Sequence, residues 1–324
     1  MDRKIRVVHI AHTFKGGAPF KLNSWLNSSA VDSKIIWLGR QDLIPFWSPN
    51  ILIFDGGDPA KKLSVDRVLE DCDFIHVHNF IPKEQLPYFK SLFYNKKYIY
   101  HFHSPRFEKP VLYDLDQQSY EMNAVKRLLV GNFHKRMYKD VKLMPNVVPA
   151  NLSPHRRKKN NNIIKILFSP SSQKIGARWS SKYDEEILAI INDIGKLPCV
   201  EIFSIENMTQ DQLAILRSCS DITIDEILTG GFHQVSIEGL AQGNVVMNSA
   251  DHLSLEYFKE GYGTEEEAPF DIVSKKNIVQ KIQYYIENRD ELYEKQVRNQ
   301  EFFEQYLNPN KVIKMYIDLY KSLL

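Results

Sequence analysis

The chain has 324 residues, of which 43% are hydrophobic and 25% are charged, the composition of a folded protein in water. At roughly 150 residues per domain, this length predicts two domains of ordinary size. No window reaches the roughly 18 uninterrupted apolar residues of a membrane span. The first apolar run follows MDRK and lacks a small-residue cleavage site, so we interpret it as a β-strand and not as a signal peptide.

The three cysteines, Cys72, Cys199 and Cys219, are scattered and form no CxxC pair. This pattern argues against a disulfide framework or a zinc site and favours a reducing compartment. We therefore predict a cytoplasmic protein without a transmembrane segment, with peripheral attachment to a membrane as the alternative.

The net charge of +2 conceals an uneven distribution along the chain. Residues 1–160 carry 26 Lys and Arg against 15 Asp and Glu, whereas residues 161–324 carry 16 against 25. Two interpretations stay open: the two domains differ in surface charge alone, or the basic first half meets an anionic partner.

Short runs rich in Val, Ile, Phe and Tyr alternate with longer helical patterns in the first half, which is typical of βαβ units around a parallel sheet. The predicted strands are 5–12, 34–39, 51–54, 74–80 and 98–104, with two more near 127–133 and 141–148. The predicted helices are 18–29, 59–71, 83–94 and 115–127.

A second βα series follows the polar, basic segment PANLSPHRRKKNNN. We predict a domain at 1–150, a linker at 151–162 and a domain at 163–324. The predicted elements are strands 163–169, 199–205, 221–225 and 244–249, helices 183–196, 209–218, 234–242 and 252–260, and a helical tail 275–324 broken at Pro309. The predicted fold class is α/β, with two Rossmann-like doubly wound domains. Ligands in such folds bind at the carboxyl ends of strands, so we expect the site in a cleft between the domains.

The segment DEILTGGFHQVSIEGLAQGNVVMNSAD (225–251) joins a strand end, a glycine pair and a helix start. Gly230 and Gly231 allow a tight turn and a close approach to a ligand. The helix beginning near Gln234 has free N–H groups that favour an anion, and the carboxylate of Glu238 can accept hydrogen bonds from hydroxyls. A bound sugar nucleotide fits this pattern; an ordinary βα turn with a surface glutamate fits it as well.

This segment resembles the donor-binding segment of retaining GT-B glycosyltransferases of the family 4 type. The matching residues are Gly231, Phe232, His233, Ser236, Glu238, Gly239, Ala241 and Gly243. In that family the second glutamate of an E-x7-E pair binds the donor ribose, and it corresponds here to Glu238. The first glutamate corresponds to Gly230 and is absent, while the acidic pair at 225–226 lies just upstream.

The resemblance implies a GT-B fold, with an acceptor-binding domain at 1–150 and a nucleotide-sugar-binding domain at 163–324 facing a central cleft. It implies a donor linked to UDP or GDP, transfer to a hydroxyl with retention at the anomeric carbon, and a last helix that crosses back onto the first domain. It implies no metal site and no further cofactor. The donor-binding residues would be Gly230, Gly231, Phe232, His233 and Ser236, and Glu238→Ala is expected to abolish transfer with little loss of stability.

The loop after the first strand, HTFKGGAPFKL (12–22), resembles the glycine-rich loop that lies against the donor phosphates in this family. Gly16 and Gly17 precede a helix that Pro19 can start, which would create a second helix-end anion site. The loop FSPSSQKIGARWSSK (168–182) corresponds to one that neutralises the diphosphate leaving group. Its best matches are Arg178 and Lys182, with Lys174 in reserve.

Four histidines lie near the ends of two predicted strands: His76, His78, His101 and His103. Each pair alternates onto one face of its strand. Paired histidines can bind a metal, but no third ligand is evident in the sequence, and histidines of a core or cleft lining fit equally. In the family resembled, a histidine at the second strand end hydrogen-bonds the transferred sugar, and by position this is His103, with Ser104 beside it. We predict that His78 and Asn79 contact the acceptor.

The basic first half interleaves Lys and Arg with aromatic residues, in PYFKSLFYNKKYIYHFH (87–103) and KRLLVGNFHKRMYKD (126–140). Two acceptors fit this surface. One is DNA, whose flipped, hydroxylated base would receive the sugar, as phage enzymes of this class do. The other is a lipid-linked glycan at an anionic membrane. A nucleotide-sugar epimerase and a non-catalytic nucleotide-sugar or nucleic-acid binding protein are the alternatives of another class.

Overall fold

The computed structural model describes residues 3–13, 15–44, 48–103, 113–130, 135–136, 138, 140–149, 152, 162–168, 184–204 and 208–324. The predicted linker, apart from residues 152 and 162, and the site residues Ser104, Lys174, Arg178 and Lys182 lie outside these ranges. The chain forms two compact units, one of Met1–Ala150 with Pro309–Leu324 and one of Asn151–Asn308. No helix of the described part is long and apolar enough to span a bilayer.

The first unit contains a parallel sheet flanked by helices. Its described strands are β1 (Ile5–Ala11), β2 (Val31–Trp37), β3 (Ile51–Ile53), β4 (Phe74–His78), β5 (Lys97–Phe102), β6 (Lys126–Leu129) and β7 (Lys142–Leu143). They pair in the order β3-β2-β1-β4-β5-β6-β7, which is the Rossmann order extended by one strand. The helices are α1 (Ala18–Asn27), α2 (Pro59–Asp71), α3 (Leu86–Leu92) and α4 (Tyr113–Glu121).

Helix α4 ends earlier than the sequence pattern predicts. Asn123 has a φ of 49°, which takes the chain out of the helix. The N–H of Val125 then donates to the carbonyl of Tyr98 (2.8 Å), and β6 begins at the next residue. The predicted helix 115–127 is therefore wrong at its carboxyl end, because pairing with β5 takes over.

The second unit is a smaller parallel sheet with the other common doubly wound order. Its described strands are β8 (Ile164–Phe168), β9 (Val200–Ser204), β10 (Ile222–Ile224), β11 (Val245–Asn248) and β12 (Asp271–Ile272), arranged β12-β11-β10-β8-β9. The helices are α5 (Glu185–Gly195), α6 (Gln210–Cys219), α7 (Gln234–Ala241), α8 (His252–Tyr262), α9 (Ile278–Glu287) and α10 (Arg289–Phe302). The core lies where α5 and α9 cover apolar residues of β8, β10 and β11.

The last helix, α11 (Pro309–Leu323), follows the π-helical segment Phe303–Leu307 and belongs to the first unit. The O–H of Tyr316 donates to the carbonyl of Pro145 (3.0 Å), and Lys97 Nζ donates to the carbonyl of Leu323 (2.7 Å). The predicted domain 163–324 therefore extends too far. The expectation that the last helix crosses back onto the first domain agrees with the structure, because its apolar stripe is buried there.

Candidate active site

The loop between β10 and α7 is held by the buried carboxylate of Glu226. This side chain accepts hydrogen bonds from the N–H groups of Leu228 (3.0 Å), Thr229 (2.7 Å) and Gly231 (2.9 Å). The hydroxyl of Ser249 donates to it as well (3.1 Å). A fully buried carboxylate with four donors stabilises one loop conformation, since each donor offsets part of the cost of burying the charge.

Asp225, also fully buried, connects the same loop to the start of α7. Its Oδ2 accepts hydrogen bonds from the N–H of His233 (2.6 Å) and the hydroxyl of Ser236 (2.8 Å). The side chain of Asn248, at the end of β11, donates to the Ser236 hydroxyl (3.0 Å). One hydrogen-bonded network thus joins the carboxyl ends of β10 and β11 to the first turn of α7.

The carboxylates of Asp225 and Glu226 occupy part of the anion site that the sequence predicts at the start of α7. The N–H groups of Gly231 and His233 already donate to protein carboxylates, and negative charge already lies near the positive end of the helix dipole. A diphosphate at this end of α7 would therefore need cationic side chains beside it. That role was predicted for Arg178 and Lys182, which the described residues do not include.

The position of the missing first glutamate, Gly230, has a φ of 74°. A Cβ there would lie 3.1 Å from Asp251 Oδ2. The carbonyl of Gly230 accepts hydrogen bonds from the N–H of Asp251 (3.0 Å) and the hydroxyl of Ser254 (2.7 Å). A glutamate here would be strained and close to another carboxylate, so the glycine is required by the shape of this loop. The neighbouring Phe232 is buried against Phe258 and Phe270, and therefore packs in the core.

Glu238 lies in the middle of α7 and is only 2% exposed. Its carboxylate forms an ion pair with Arg217 of α6, itself 3% exposed. Removing the carboxylate would leave a guanidinium buried without its counter-charge, which typically costs about 3–5 kcal/mol. The expectation that Glu238→Ala leaves stability nearly unchanged is therefore revised.

In the first unit, Gly16 and Gly17 directly precede α1 and have φ values of 61° and 76°. Both lie in the left-handed region, which glycine adopts without strain. Pro19 is within the first turn of α1, as predicted, and no side chain caps this end of the helix. A Cβ at Gly16 would meet no described atom within 4 Å, so at this position the backbone conformation, and not crowding, favours glycine.

Five histidines lie together on one face of the first sheet. His9 of β1 is the register partner of His76 of β4, and His78 is the partner of His101 of β5. The fifth, His103, follows β5 and is half-buried. Two overlapping groups, His9–His76–His78 and His78–His101–His103, have ring nitrogens within 4.8 Å of one another, close enough for one metal ion in each. His9 supplies the third histidine of the first group, and the second group joins three histidines already noted in the sequence.

The ring nitrogens of this histidine cluster are hydrogen-bonded to one another and to neighbouring groups. His9 Nδ1 lies 2.9 Å from His78 Nε2, and His78 Nδ1 lies 2.8 Å from His103 Nε2. Burial, with a smaller effect of His101, lowers the pKa of His9 to about 3, and burial lowers that of His101 to about 3. The pKa values of His76 and His78 are also well below the usual value, first because of burial. These four imidazoles are therefore neutral near pH 7.

Asn79 completes the group at the carboxyl ends of β4 and β5. It has a φ of 70°, and its Oδ1 accepts the N–H of His103 (2.7 Å). Its own N–H donates to the carbonyl of His101 (2.9 Å). Three residues predicted from the sequence, His78, Asn79 and His103, are thus in direct contact.

Sequence reasoning missed three residues that shape these sites. Arg217 pairs with Glu238, His9 extends the histidine cluster, and the hydroxyl of Tyr320 lies 2.8 Å from His76 Nδ1. Only His9 had a usable signal: it lies in the first predicted strand, which neighbours the strand of His76 in a Rossmann order. The partners from α6 and α11 depend on tertiary packing.

No family model matches the sequence, and no curated protein matches it. Solved structures match over nearly its whole length. Sucrose-phosphate synthase from Thermosynechococcus elongatus is 12% identical with a TM-score of 0.65, covering 99% of both chains. An α-glucosyltransferase in complex with UDP-glucose and DNA containing an abasic site is 10% identical with a TM-score of 0.63, covering 98% of this chain and 100% of that one.

A third similar structure is a Listeria monocytogenes protein described as a UDP-N-acetylglucosamine 2-epimerase. It is 14% identical with a TM-score of 0.52, covering 91% of both chains. At such identities the likeness concerns the fold and not the activity. Together with the two doubly wound sheets, it confirms the predicted fold class: the chain has the GT-B fold.

Proposed function

We propose that the protein is a retaining glycosyltransferase that moves a sugar from a UDP- or GDP-linked donor to an acceptor hydroxyl. One observation carries this proposal. The segment that resembles a donor-binding segment forms the strand–loop–helix–strand unit β10–α7–β11, and its matching residues Ser236 and His233 are held by Asp225. The loop between β10 and α7 is therefore preorganised. Its polar groups lie at the carboxyl ends of strands, where ligands of doubly wound folds bind.

In this proposal, Glu238, anchored by Arg217, contacts the donor ribose, and the loop Gly230–Ser236 receives the nucleotide diphosphate together with Arg178 and Lys182. Gly16 and Gly17 allow a close approach of the donor, and His103 contacts the transferred sugar. The bond from the anomeric carbon to the phosphate oxygen breaks, and the bond to the acceptor oxygen forms on the same face. The departing phosphate takes the proton of the acceptor hydroxyl. Positioning and charge stabilisation supply the catalysis, and no metal is needed.

For the acceptor, we propose a hydroxylated base in DNA. The first unit, Met1–Ala150 with Pro309–Leu324, carries 25 Lys and Arg against 16 Asp and Glu, so the positive charge remains on the unit defined by the structure. Lys and Arg of such a surface neutralise DNA phosphates. The structural likeness to an α-glucosyltransferase bound to DNA supports the same choice. A lipid-linked glycan at a membrane surface is the competing acceptor.

The likeness to an epimerase makes reversible sugar isomerisation the second candidate. Proton transfer beside the anomeric carbon would need a pair of available carboxylates. In the described donor segment, Asp225 and Glu226 are fully buried and hydrogen-bonded to the loop backbone. This arrangement favours transfer.

The donor part is tested by nucleotide release from a panel of UDP- and GDP-sugars, with and without acceptor. A transferase releases nucleotide slowly alone and faster with acceptor, an epimerase converts the sugar reversibly, and a binding protein does neither. Glu238→Gln should lower release strongly, whereas Glu287→Gln, at an exposed glutamate ending α9, should not. Equal rates in the two variants would remove Glu238 from the donor site.

The acceptor part is tested by binding to duplex DNA across a salt series, beside binding to anionic vesicles. DNA binding through Z phosphates should weaken with a slope of roughly −0.9Z in log K against log salt. Vesicle binding without DNA binding would replace DNA by a lipid-linked acceptor.

A further inference from the structure

Four acidic side chains lie in the segment that runs from the end of β10 to the start of α8, and they differ in exposure. Asp225 and Glu226 are fully buried and accept hydrogen bonds from the loop backbone. Glu238 is 2% exposed and pairs with Arg217. Asp251, in contrast, is exposed to solvent. In this segment, every residue of which the structure describes, Asp251 is therefore the carboxylate most open to a ligand.

The carboxylate of Asp251 is turned towards Gly230, in the loop between β10 and α7. A Cβ at Gly230 would lie 3.1 Å from Asp251 Oδ2, 3.6 Å from its Cγ and 3.8 Å from its Cβ. The side chain thus approaches with its oxygen first, beside a residue that has no side chain of its own. Gly230 is also the position of the absent first glutamate. The loop therefore has a carboxylate at this place, and the residue that precedes α8 supplies it.

Hydrogen bonds on both sides of Gly230 fix the position of Asp251 relative to this loop. The carbonyl of Gly230 accepts from the N–H of Asp251 (3.0 Å) and from the hydroxyl of Ser254 (2.7 Å). The N–H of Gly230 donates to the hydroxyl of Ser249 (3.2 Å). Asp251 comes shortly after β11, which pairs with β10. Its carboxylate is therefore held at the carboxyl ends of two neighbouring strands, where ligands of doubly wound folds bind.

Helix capping does not use the whole acceptor capacity of Asp251. Its Oδ1 accepts the N–H of Ser254 (3.0 Å) and so caps the first turn of α8. One oxygen is enough for a cap, and the oxygen turned towards Gly230 is the other one, Oδ2. An ionised carboxylate has about four acceptor sites. A cap therefore leaves this side chain able to accept hydrogen bonds from a ligand as well.

We propose that Asp251 binds hydroxyl groups of the transferred sugar and thereby selects donors that carry a hydroxyl at that place. The proposal rests on the proposed function, because it needs a nucleotide-sugar beside the loop between β10 and α7. Sugar hydroxyls donate hydrogen bonds, and a charged acceptor binds them more strongly than a neutral one does. Diphosphate oxygens are anionic and would be repelled by a carboxylate. Asp251 therefore recognises the sugar and not the diphosphate.

Calorimetric titration of the full-length chain tests this contact at equilibrium. The probes are the UDP- or GDP-sugar from which the wild-type protein releases nucleotide fastest, and the same nucleoside diphosphate without a sugar. Asp251→Asn and Asp251→Ser both keep a good capping residue and remove the carboxylate. We expect both variants to bind the nucleotide-sugar at least about 10-fold more weakly, with little change in binding of the nucleoside diphosphate. Equal weakening for both probes, or none for either, would overturn the proposal.

Donors that lack one hydroxyl separate a sugar contact from an indirect effect on the loop. In the wild-type protein, removal of the hydroxyl that Asp251 binds should lower kcat/KM for nucleotide release at least about 10-fold. In Asp251→Ser the same removal should cost little, because the partner of that hydroxyl is already absent. If every monodeoxy donor lost the same factor in both proteins, Asp251 would have no contact with the sugar.

A second capping aspartate provides the matched control. Asp58 precedes α2 in the first unit, and its Oδ1 accepts the N–H groups of Ala60 (3.0 Å) and Lys61 (3.2 Å). Asp58→Asn should leave nucleotide-sugar binding and the response to monodeoxy donors unchanged. Urea unfolding checks that the variants at Asp251 are folded. If Asp251→Ser lowers the urea midpoint, Asp251→Asn, which keeps both the cap and the shape of the side chain, decides the result.

The outcomes separate this proposal from the proposed function. A wild-type protein that binds a nucleotide-sugar, with both Asp251 variants binding it equally well, would refute the sugar contact and leave the proposed function intact. Selective loss of nucleotide-sugar binding in both variants supports the contact, even if no acceptor receives the sugar. A wild-type protein that binds no nucleotide-sugar would refute the proposed function and, with it, this contact.

Discussion

The buried histidines predict that the first unit loses stability in mild acid, well above the pH at which carboxylates are protonated. In the folded state, burial lowers the pKa of His9 and His101 to about 3, and shifts His76 and His78 in the same direction. In the unfolded chain a histidine has a pKa of about 6.5. Below that value the unfolded state binds more protons than the folded state, so stability falls as pH decreases towards the folded pKa.

The magnitude follows from the same two values. Between pH 7.5 and 5.5, one histidine with these pKa values loses about 1.4 kcal/mol of stabilisation. His9 and His101 together lose about 3 kcal/mol, and the lowered pKa values of His76 and His78 act in the same direction. A loss of about 3 kcal/mol is a large part of the stability of many domains, about 5–15 kcal/mol. The stabilisation is present in full above pH 7.5, and the loss grows as the pH falls from 7.5 to 5.5.

Urea unfolding between pH 8 and 5.5, followed by tryptophan fluorescence, measures this loss. Three of the four tryptophans belong to residues 1–150, so a Trp179→Phe background reports on the first unit alone. His101→Gln should reduce the loss between pH 7.5 and 5.5 by about 1.4 kcal/mol, whereas His252→Gln, at an exposed position that starts α8, should not change it. A free energy of unfolding that stays constant from pH 8 to 5.5 would show that these imidazoles are not held neutral by the fold.

Three further predictions concern packing and charge. Glu238→Ala should cost about 3–5 kcal/mol of stability, because it leaves Arg217 buried without its carboxylate. The double variant Arg217→Met with Glu238→Leu should be closer to neutral in stability. A urea midpoint for Glu238→Ala equal to that of the wild type would contradict the buried ion pair. Gly239→Ala should cost about 1–3 kcal/mol, since its Cβ would lie 2.9 Å from Val246 Cγ2, and thermal unfolding would show the loss. Tyr320→Phe should cost about 1 kcal/mol, because it removes the hydrogen bond between α11 and a buried histidine of β4; an unchanged midpoint would argue against that bond.

Strands of this fold are predictable because buried parallel strands are continuous apolar runs. β1 and β8 are predicted within one residue at each end, and their inward side chains are almost completely buried. β12 was missed because two residues, Asp271 and Ile272, give no periodic signal. The local sequence pattern also could not predict where α4 ends. The positive φ at Asn123 turns the chain so that it can pair with β5, and this pairing depends on a distant segment.

The candidate site was predictable where its residues follow strand ends, and not where a distant element completes it. His78, Asn79 and His103 follow neighbouring strands, and the sheet brings them into contact. Glu238 could be found from its motif, but its burial could not, because the partner Arg217 comes from α6. The anion site at α7 was expected from free helix N–H groups, whereas Asp225 and Glu226 use several of the donors around it.

Mass spectrometry of a duplex that contains hydroxymethylated bases is the most direct test of whether the protein transfers a sugar from a nucleotide donor to a hydroxyl. After incubation with the chain and the donor that releases nucleotide fastest, we expect a mass gain of one sugar per modified base, absent from an unmodified duplex and strongly reduced with Glu238→Gln. An unchanged DNA mass, with sugar transferred to a lipid-linked glycan, would show that the acceptor is the lipid-linked glycan and not DNA. An unchanged mass of every acceptor, with the nucleotide-sugar isomerised or intact, would contradict glycosyl transfer itself.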